Sequence, residues 1–146
     1  SSLGQSPLRS PSVFNFYRPG YVPPNTGIAA ANLVAPEFQI IHESSVVGYA
    51  NLMRSVVRNG IGDNSPADIQ PDYSAELAVA DDADKLIDRV NLLLTYGTMR
   101  PDTMSAIREA VNSITIDVNN PALGRRNRAN LAALFAMSAP EFIVQK

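Results

Sequence analysis

The chain contains no cysteine, which excludes disulfides, thiolate metal sites and a cysteine nucleophile. That absence leaves the compartment open, since cysteine-free proteins occur on both sides of a membrane. A single histidine, His42, is present, so no multi-histidine metal site can form. A Ser-His-Asp arrangement would have to recruit its serine through the fold, because no nucleophile-elbow pattern occurs. GxGxxG, P-loop and HExxH patterns and paired metal-ligand spacings are also missing, so no cofactor is implied. Charged residues make up 18% and the formal charge is −2, which gives no electrostatic footprint for nucleic acid or for an anionic membrane. No run reaches the roughly 20 apolar residues that a membrane-spanning helix needs. The opening Ser1-Ser2-Leu3-Gly4-Gln5 has no initiator methionine, basic region or apolar signal core, and the chain reads as a piece of something longer or processed.

What is present is enough apolar material for a core. Residues number 146 and 45% of them are hydrophobic, the size of one ordinary domain and too apolar for a disordered segment. Six of the eleven prolines, Pro7, Pro11, Pro19, Pro23, Pro24 and Pro36, crowd the first quarter of the sequence, where each removes a backbone donor and restricts the residue before it. Val13, Phe14, Phe16, Tyr17, Tyr21 and Val22 share that segment. Residues 1–35 are therefore predicted to be an extended, ordered arm packed on a helical body by its aromatics, with turns at Pro19-Gly20 and Asn25-Thr26-Gly27.

The tetrapeptide Ala-Pro-Glu-Phe occurs twice, at residues 35–38 and 139–142. Proline suits the first position of a helix and the glutamate beside it complements the positive helix terminus. The two copies are read as equivalent corners where the helical body, residues 36–146, begins and closes. From the first corner, Ile40, Ile41, Val47, Leu52, Met53, Val56 and Val57 recur near helical spacing until Asn59-Gly60. This predicts one helix from Pro36 to Arg58, about 34 Å long at 1.5 Å per residue. Residues 60–72 read as a surface loop whose Asp63, Asn64 and Asp68 lack EF-hand spacing, and a short helix begins at Ser74.

Asp81-Asp82-Ala83-Asp84 opens an amphipathic run through Leu86, Ile87, Val90, Leu93 and Leu94 that ends at Tyr96-Gly97. Pro101-Asp102 starts a second run through Met104, Ile107, Val111 and Ile114, so residues 81–116 are predicted to form a helical hairpin. Ile114 to Val118 is assigned to an extended link. Asn119-Asn120-Pro121 and Gly124 are read as the next break, with Arg125-Arg126-Asn127-Arg128 opening the last long helix. Basic residues at a helix start oppose the macrodipole. They therefore point to phosphate, an acidic partner, or pairing with Glu37, Glu141 or the aspartate group, and internal pairing is the favoured reading. The fold class is all-α: an irregular bundle of about four to five helices carrying an N-terminal arm.

Candidate contact residues for a ligand or partner are Asn15, Tyr17, Arg18, His42, Arg125, Arg126 and Arg128. Aromatics around Asn15 and Arg18 suit stacking on a sugar ring or another flat ligand. The competing reading makes the same residues a buried anchor, with Asn15 satisfying backbone groups. His42 is read as bonding a backbone group or facing water. No catalytic set emerges.

The run Gln5-Ser6-Pro7-Leu8, then Ser10-Pro11-Ser12-Val13-Phe14-Asn15-Phe16-Tyr17-Arg18-Pro19-Gly20-Tyr21, with Leu33 to Ile40 and the terminal Met137 to Gln145, resembles the C-terminal part of the bacterial family known as domain of unknown function 1800. That family's terminus more often reads Ser-Pro-Glu-Phe, and Ala139 interrupts it here. The resemblance implies a C-terminal piece of a longer, largely helical, exported protein, periplasmic or extracellular, whose partners are the rest of its own chain and a sulfatase-like protein. It carries no catalytic residues across. Two readings of function follow. One is a helical structural or interaction domain of an envelope or surface assembly. The other is the C-terminal part of an enzyme or carbohydrate-binding module whose site lies partly in a preceding region.

Overall fold

The computed structural model describes residues 3–143, apart from the side chains of Glu43 and Ser44. These residues form an all-α structure with two isolated β-bridges, Ser12 with Asn15 and Ile61 with Ile69. They divide into two compact units, Ser1–Leu52 and Met53–Lys146. Helix α2 begins in the first and ends in the second.

The first unit is a succession of turns gathered on the first Ala-Pro-Glu-Phe corner. The predicted turn at Pro19-Gly20 closes with the Tyr21 N–H on Arg18 O at 3.0 Å. Thr26 caps the single-turn helix α1 (Gly27–Ala30), accepting from Ala29 N at 3.2 Å and donating to Pro23 O at 2.7 Å. The Ala35 N–H then returns to Tyr21 O at 2.9 Å, and Gln39 Oε1 accepts the Arg18 N–H at 2.7 Å. Both bonds join the arm to the corner, where Ala35 is buried and Pro36–Gln39 forms one 3₁₀ turn.

The expected helix from Pro36 to Arg58 is not continuous. It splits into that 3₁₀ turn and α2 (Glu43–Asn59). Ser45 makes the break: its hydroxyl accepts the His42 N–H at 2.9 Å and donates to Ile40 O at 2.5 Å, while His42 O accepts from Val46 N. A side chain that folds back onto the preceding backbone offers it an alternative to the helical ladder, and His42 becomes the cap of a new helix.

The expected burial of the arm fails at its centre. Phe14 is 54% exposed and Val13 95%, because the chain here turns on itself through local bonds, Phe14 N to Ser12 Oγ and Asn15 N to Ser12 O. Phe16 and Tyr21 are half-buried.

In the second unit the Tyr73 hydroxyl donates to Val57 O at 3.0 Å, satisfying one of the carbonyls that α2 leaves without an intrahelical partner. Short helix α3 (Ser74–Val79) follows, then α4 (Ala83–Thr95), capped by Asp82, which accepts from Asp84 N and Lys85 N. Tyr96 (φ 55°) and Gly97 (φ 75°) are both left-handed and end α4. Helix α5 (Pro101–Asn112) returns antiparallel: Arg108 bonds Asp84 at one end of the hairpin, and Asn91 Oδ1 accepts from Thr95 Oγ1 (2.6 Å) and Met99 N (3.1 Å) at the other. The core is Leu86, Ile87, Val90, Met99, Ile107 and Val111 against Ala132 and Ala136.

Helix α6 (Pro121–Ser138) corrects a second expectation. It starts at Pro121 with Asn120 as cap rather than at Arg125, and Gly124 is a buried residue inside it. A Cβ at Gly124 would lie 2.9 Å from Ile116 Cα, so this glycine admits the Ile114 to Val118 link against the helix instead of breaking it. Gly124→Ala is expected to cost about 1–3 kcal/mol in urea unfolding, since backbone must give way.

Single-turn helix α7 (Pro140–Ile143) is the second corner. Its later residues Val144 and Gln145 lie outside the described residues. The corners share one bond, the Phe38 N–H on Ala35 O (3.2 Å) and the Phe142 N–H on Ala139 O (3.0 Å), but the first is a 3₁₀ turn and the second an α turn. Their glutamates differ. Glu37 is exposed, whereas Glu141 Oε1 accepts from Arg100 N at 3.1 Å and Thr103 Oγ1 at 3.0 Å. Arg100 is the N-cap residue of α5 and offers no side-chain cap of its own, so Glu141 supplies one from the other end of the unit. Burial pushes the Glu141 carboxyl up, yet bonds from its own N–H, from Arg100 N and from the Thr103 hydroxyl, with the Arg100 charge, bring it below the ordinary glutamate value. Its contribution is present above the unfolded value near 4.5 and disappears as pH falls through the lower folded value. Glu141→Gln is therefore expected to cost about 1–2 kcal/mol at neutral pH. The gap to wild type should close as the unfolding buffer is taken below about pH 4. Glu37→Gln should stay within about 0.5 kcal/mol.

Candidate functional site

The three arginines sit in the second and third turns of α6, and each already has a contact within the second unit. Arg125 grips Asp81 with Nε to Oδ1 at 2.9 Å and Nη2 to Oδ2 at 2.6 Å, a two-pronged geometry suited to carboxylate. The Arg125 hydrogen bond holds the Asp81 carboxyl below its usual range. Arg128 donates through Nε to Ile114 O at 3.0 Å and through Nη1 to Ala80 O at 3.2 Å and Asp81 O at 3.3 Å. It thereby joins the α3–α4 turn to the link after α5. Arg126 lies over the Tyr73 ring, 5.4 Å from its centroid. Neither Glu37 nor Glu141 meets an α6 arginine among the described ion pairs.

Asn15, Tyr17, Arg18 and His42 all belong to the first unit and are exposed, Tyr17 marginally at 36%. Asn15 adopts φ 64° in the Ser12–Asn15 turn, a left-handed conformation that asparagine tolerates. Its identity is thus accounted for by backbone geometry, without the buried hydrogen-bonding role considered above. Arg18 contributes its backbone N–H to Gln39. In the 60–72 loop, Asp68 is turned onto the Asp63 N–H at 3.2 Å and onto the Asn64 amide. Among the described residues no three acidic or histidine side chains group as a metal site.

One cavity of the second unit has other walls. A solvent-open cleft of about 160 Å³ lies between the end of α2 and the middle of α6, lined by Arg54, Val57, Arg58, Ile114, Asn127, Asn130, Leu131 and Leu134. Arg54 and Arg58 are one helical turn apart on α2, and Asn127 and Asn130 are three residues apart on α6, so each pair shares a helix face. Val57, Ile114, Leu131 and Leu134 supply the apolar lining. Among the described residues neither Arg54 nor Arg58 has an ion-pair partner, and Asn130 Oδ1 is buried without a hydrogen-bond partner. None of these polar residues is among the sequence-derived candidates. The available signal was the spacing of Arg54 and Arg58, which gains meaning only once α6 is known to face it.

The sequence model of a family described as "Protein of unknown function (DUF1800)" matches residues 1–144. No curated protein and no solved structure matches the chain. Among the described residues no helix is long and apolar enough to cross a membrane.

Replacing Arg128 by lysine removes a planar fork that serves three carbonyls at once, and is expected to cost about 1–3 kcal/mol by leaving part-buried acceptors unpaired. Arg125→Lys, at a solvent-exposed pair, should leave the midpoint of the same urea titration nearly unchanged.

Proposed function

Because the chain belongs to the DUF1800 family, whose description assigns no activity, we propose that it is a helical structural and interaction domain that docks against the rest of a longer polypeptide. The carrying observation is α4. This helix supplies Leu86, Ile87 and Val90 to the core, yet its other side leaves Leu92, Leu93 and Tyr96 66%, 55% and 87% exposed. Leu92 and Tyr96 are one turn apart, so they share a face. Large apolar side chains set together on the surface of a well-packed helix mark an interaction surface better than scattered ones do. Asn15, Tyr17, Arg18 and His42 on the arm, and the outward side of the α6 arginine group, belong to the same proposal as further contact residues.

An exported bacterial setting, in an envelope or surface assembly, is part of this reading and rests on the family resemblance. The arginine contacts within the second unit support a structural role, since they fix α3, α4 and α6 around one core.

The test compares two lengths of protein. Leu92→Glu with Tyr96→Glu should leave the unfolding free energy of the 146-residue chain within about 0.5 kcal/mol, as surface changes do. In the longer protein the same pair should lower the melting temperature by several degrees, because a docked interface then carries two buried charges. An unchanged melting temperature in the longer protein would refute the docking face.

A further inference from the structure

The cleft between α2 and α6 belongs to neither the docking face nor the arm. Its chemistry is mixed in a specific way. Two guanidiniums with no ion-pair partner among the described residues stand one turn apart on α2. Five other cations of the second unit, Lys85, Arg89, Arg100, Arg108 and Arg125, are matched with carboxylates. A guanidinium presents a planar fork that fits an oxyanion two-pronged. The cleft also has an apolar lining of Val57, Ile114, Leu131 and Leu134, which an inorganic anion would leave unused. Asn127 and Asn130 add two carboxamides to the lining, each able to donate and to accept hydrogen bonds. The volume, about 160 Å³, is near the roughly 150 Å³ known to admit one benzene ring and well below the about 300 Å³ at which drug-sized pockets begin. It fits one amino-acid residue.

We propose that this cleft binds an aliphatic residue with a free carboxylate and an acylated amine: the carboxylate on Arg54 and Arg58, the acylamino group on the carboxamides of Asn127 and Asn130, and the branched side chain on Val57, Leu131 and Leu134. Such a group exists both as a free N-acyl amino acid and as the C-terminus of a peptide. Nothing in the docking proposal requires this site, and each stands or falls on different residues.

The experiment is isothermal titration of the 146-residue chain, with side-chain amide NMR of Asn127 and Asn130 as a second readout. N-acetyl-L-leucine should bind and shift the Asn130 amide. N-acetyl-L-leucinamide, lacking the carboxylate, should bind at least about tenfold more weakly. Arg54→Gln with Arg58→Gln should give a similar loss at an unchanged melting temperature, because both side chains are exposed. Asn130→Ala should weaken binding without lowering the melting temperature, since the lost oxygen has no partner in the fold. Acetyl-Gly-Gly-Leu separates the two sources: tighter binding than the single residue assigns a peptide terminus, and equal binding assigns the free acid. No binding of N-acetyl-L-leucine, equal binding of its amide, or competition by inorganic phosphate at the same concentration would overturn the proposal.

Discussion

The second unit depends on one helix face made almost entirely of small side chains. Gly124, Ala129, Ala132, Ala133 and Ala136 are the buried residues of α6. Small residues at a helix contact allow the axes to approach closely, and here the larger volume comes from across the contact, in Leu86, Ile87 and Val90 of α4 and Ile107 and Val111 of α5. A methyl side chain contributes little burial energy by itself. The face works by shape, admitting the hairpin on one part and the Ile114 to Val118 link on another.

Polar groups then hold the elements that this face has brought near. Arg128 reaches across to the carbonyls that end α3 and open α4, and to the carbonyl of Ile114. Glu141 reaches across to the start of α5. In both cases a charged side chain satisfies backbone groups at an element's edge, where the ladder of helical bonds stops. The Arg-rich stretch is in this sense tied into the fold, while the two arginines of α2 that have no ion-pair partner among the described residues line the cleft.

Amphipathic periodicity made the second unit legible. The aspartate-rich start of α4, its Tyr96-Gly97 end, Pro101 as a helix start and the α4–α5 hairpin were all readable, because each rests on local rules of 3.6-residue spacing and helix-end chemistry. Three misreadings have local causes of another kind. Ser45 looks like any helical residue until its hydroxyl is seen bonding backward. Gly124 has the composition of a break, and only the neighbouring Ile116 backbone shows it to be a close approach. Phe14 has the chemistry of a core residue, but turns closed by Ser12 keep it outside. The cleft was the least legible part, since Arg54 and Asn130 are brought to one cavity by folding, and nothing in the spacing of either announces the other.

The cap that Glu141 places on α5 also orders events in time. Arg100 and Glu141 are 41 residues apart, and a ribosome adding roughly 5–20 residues each second delivers the carboxylate about two to eight seconds after the N–H it bonds. During that interval the Arg100 N–H at the start of α5 has only water to satisfy it. The second copy of the tetrapeptide is thus a latch that is made after the hairpin it closes on.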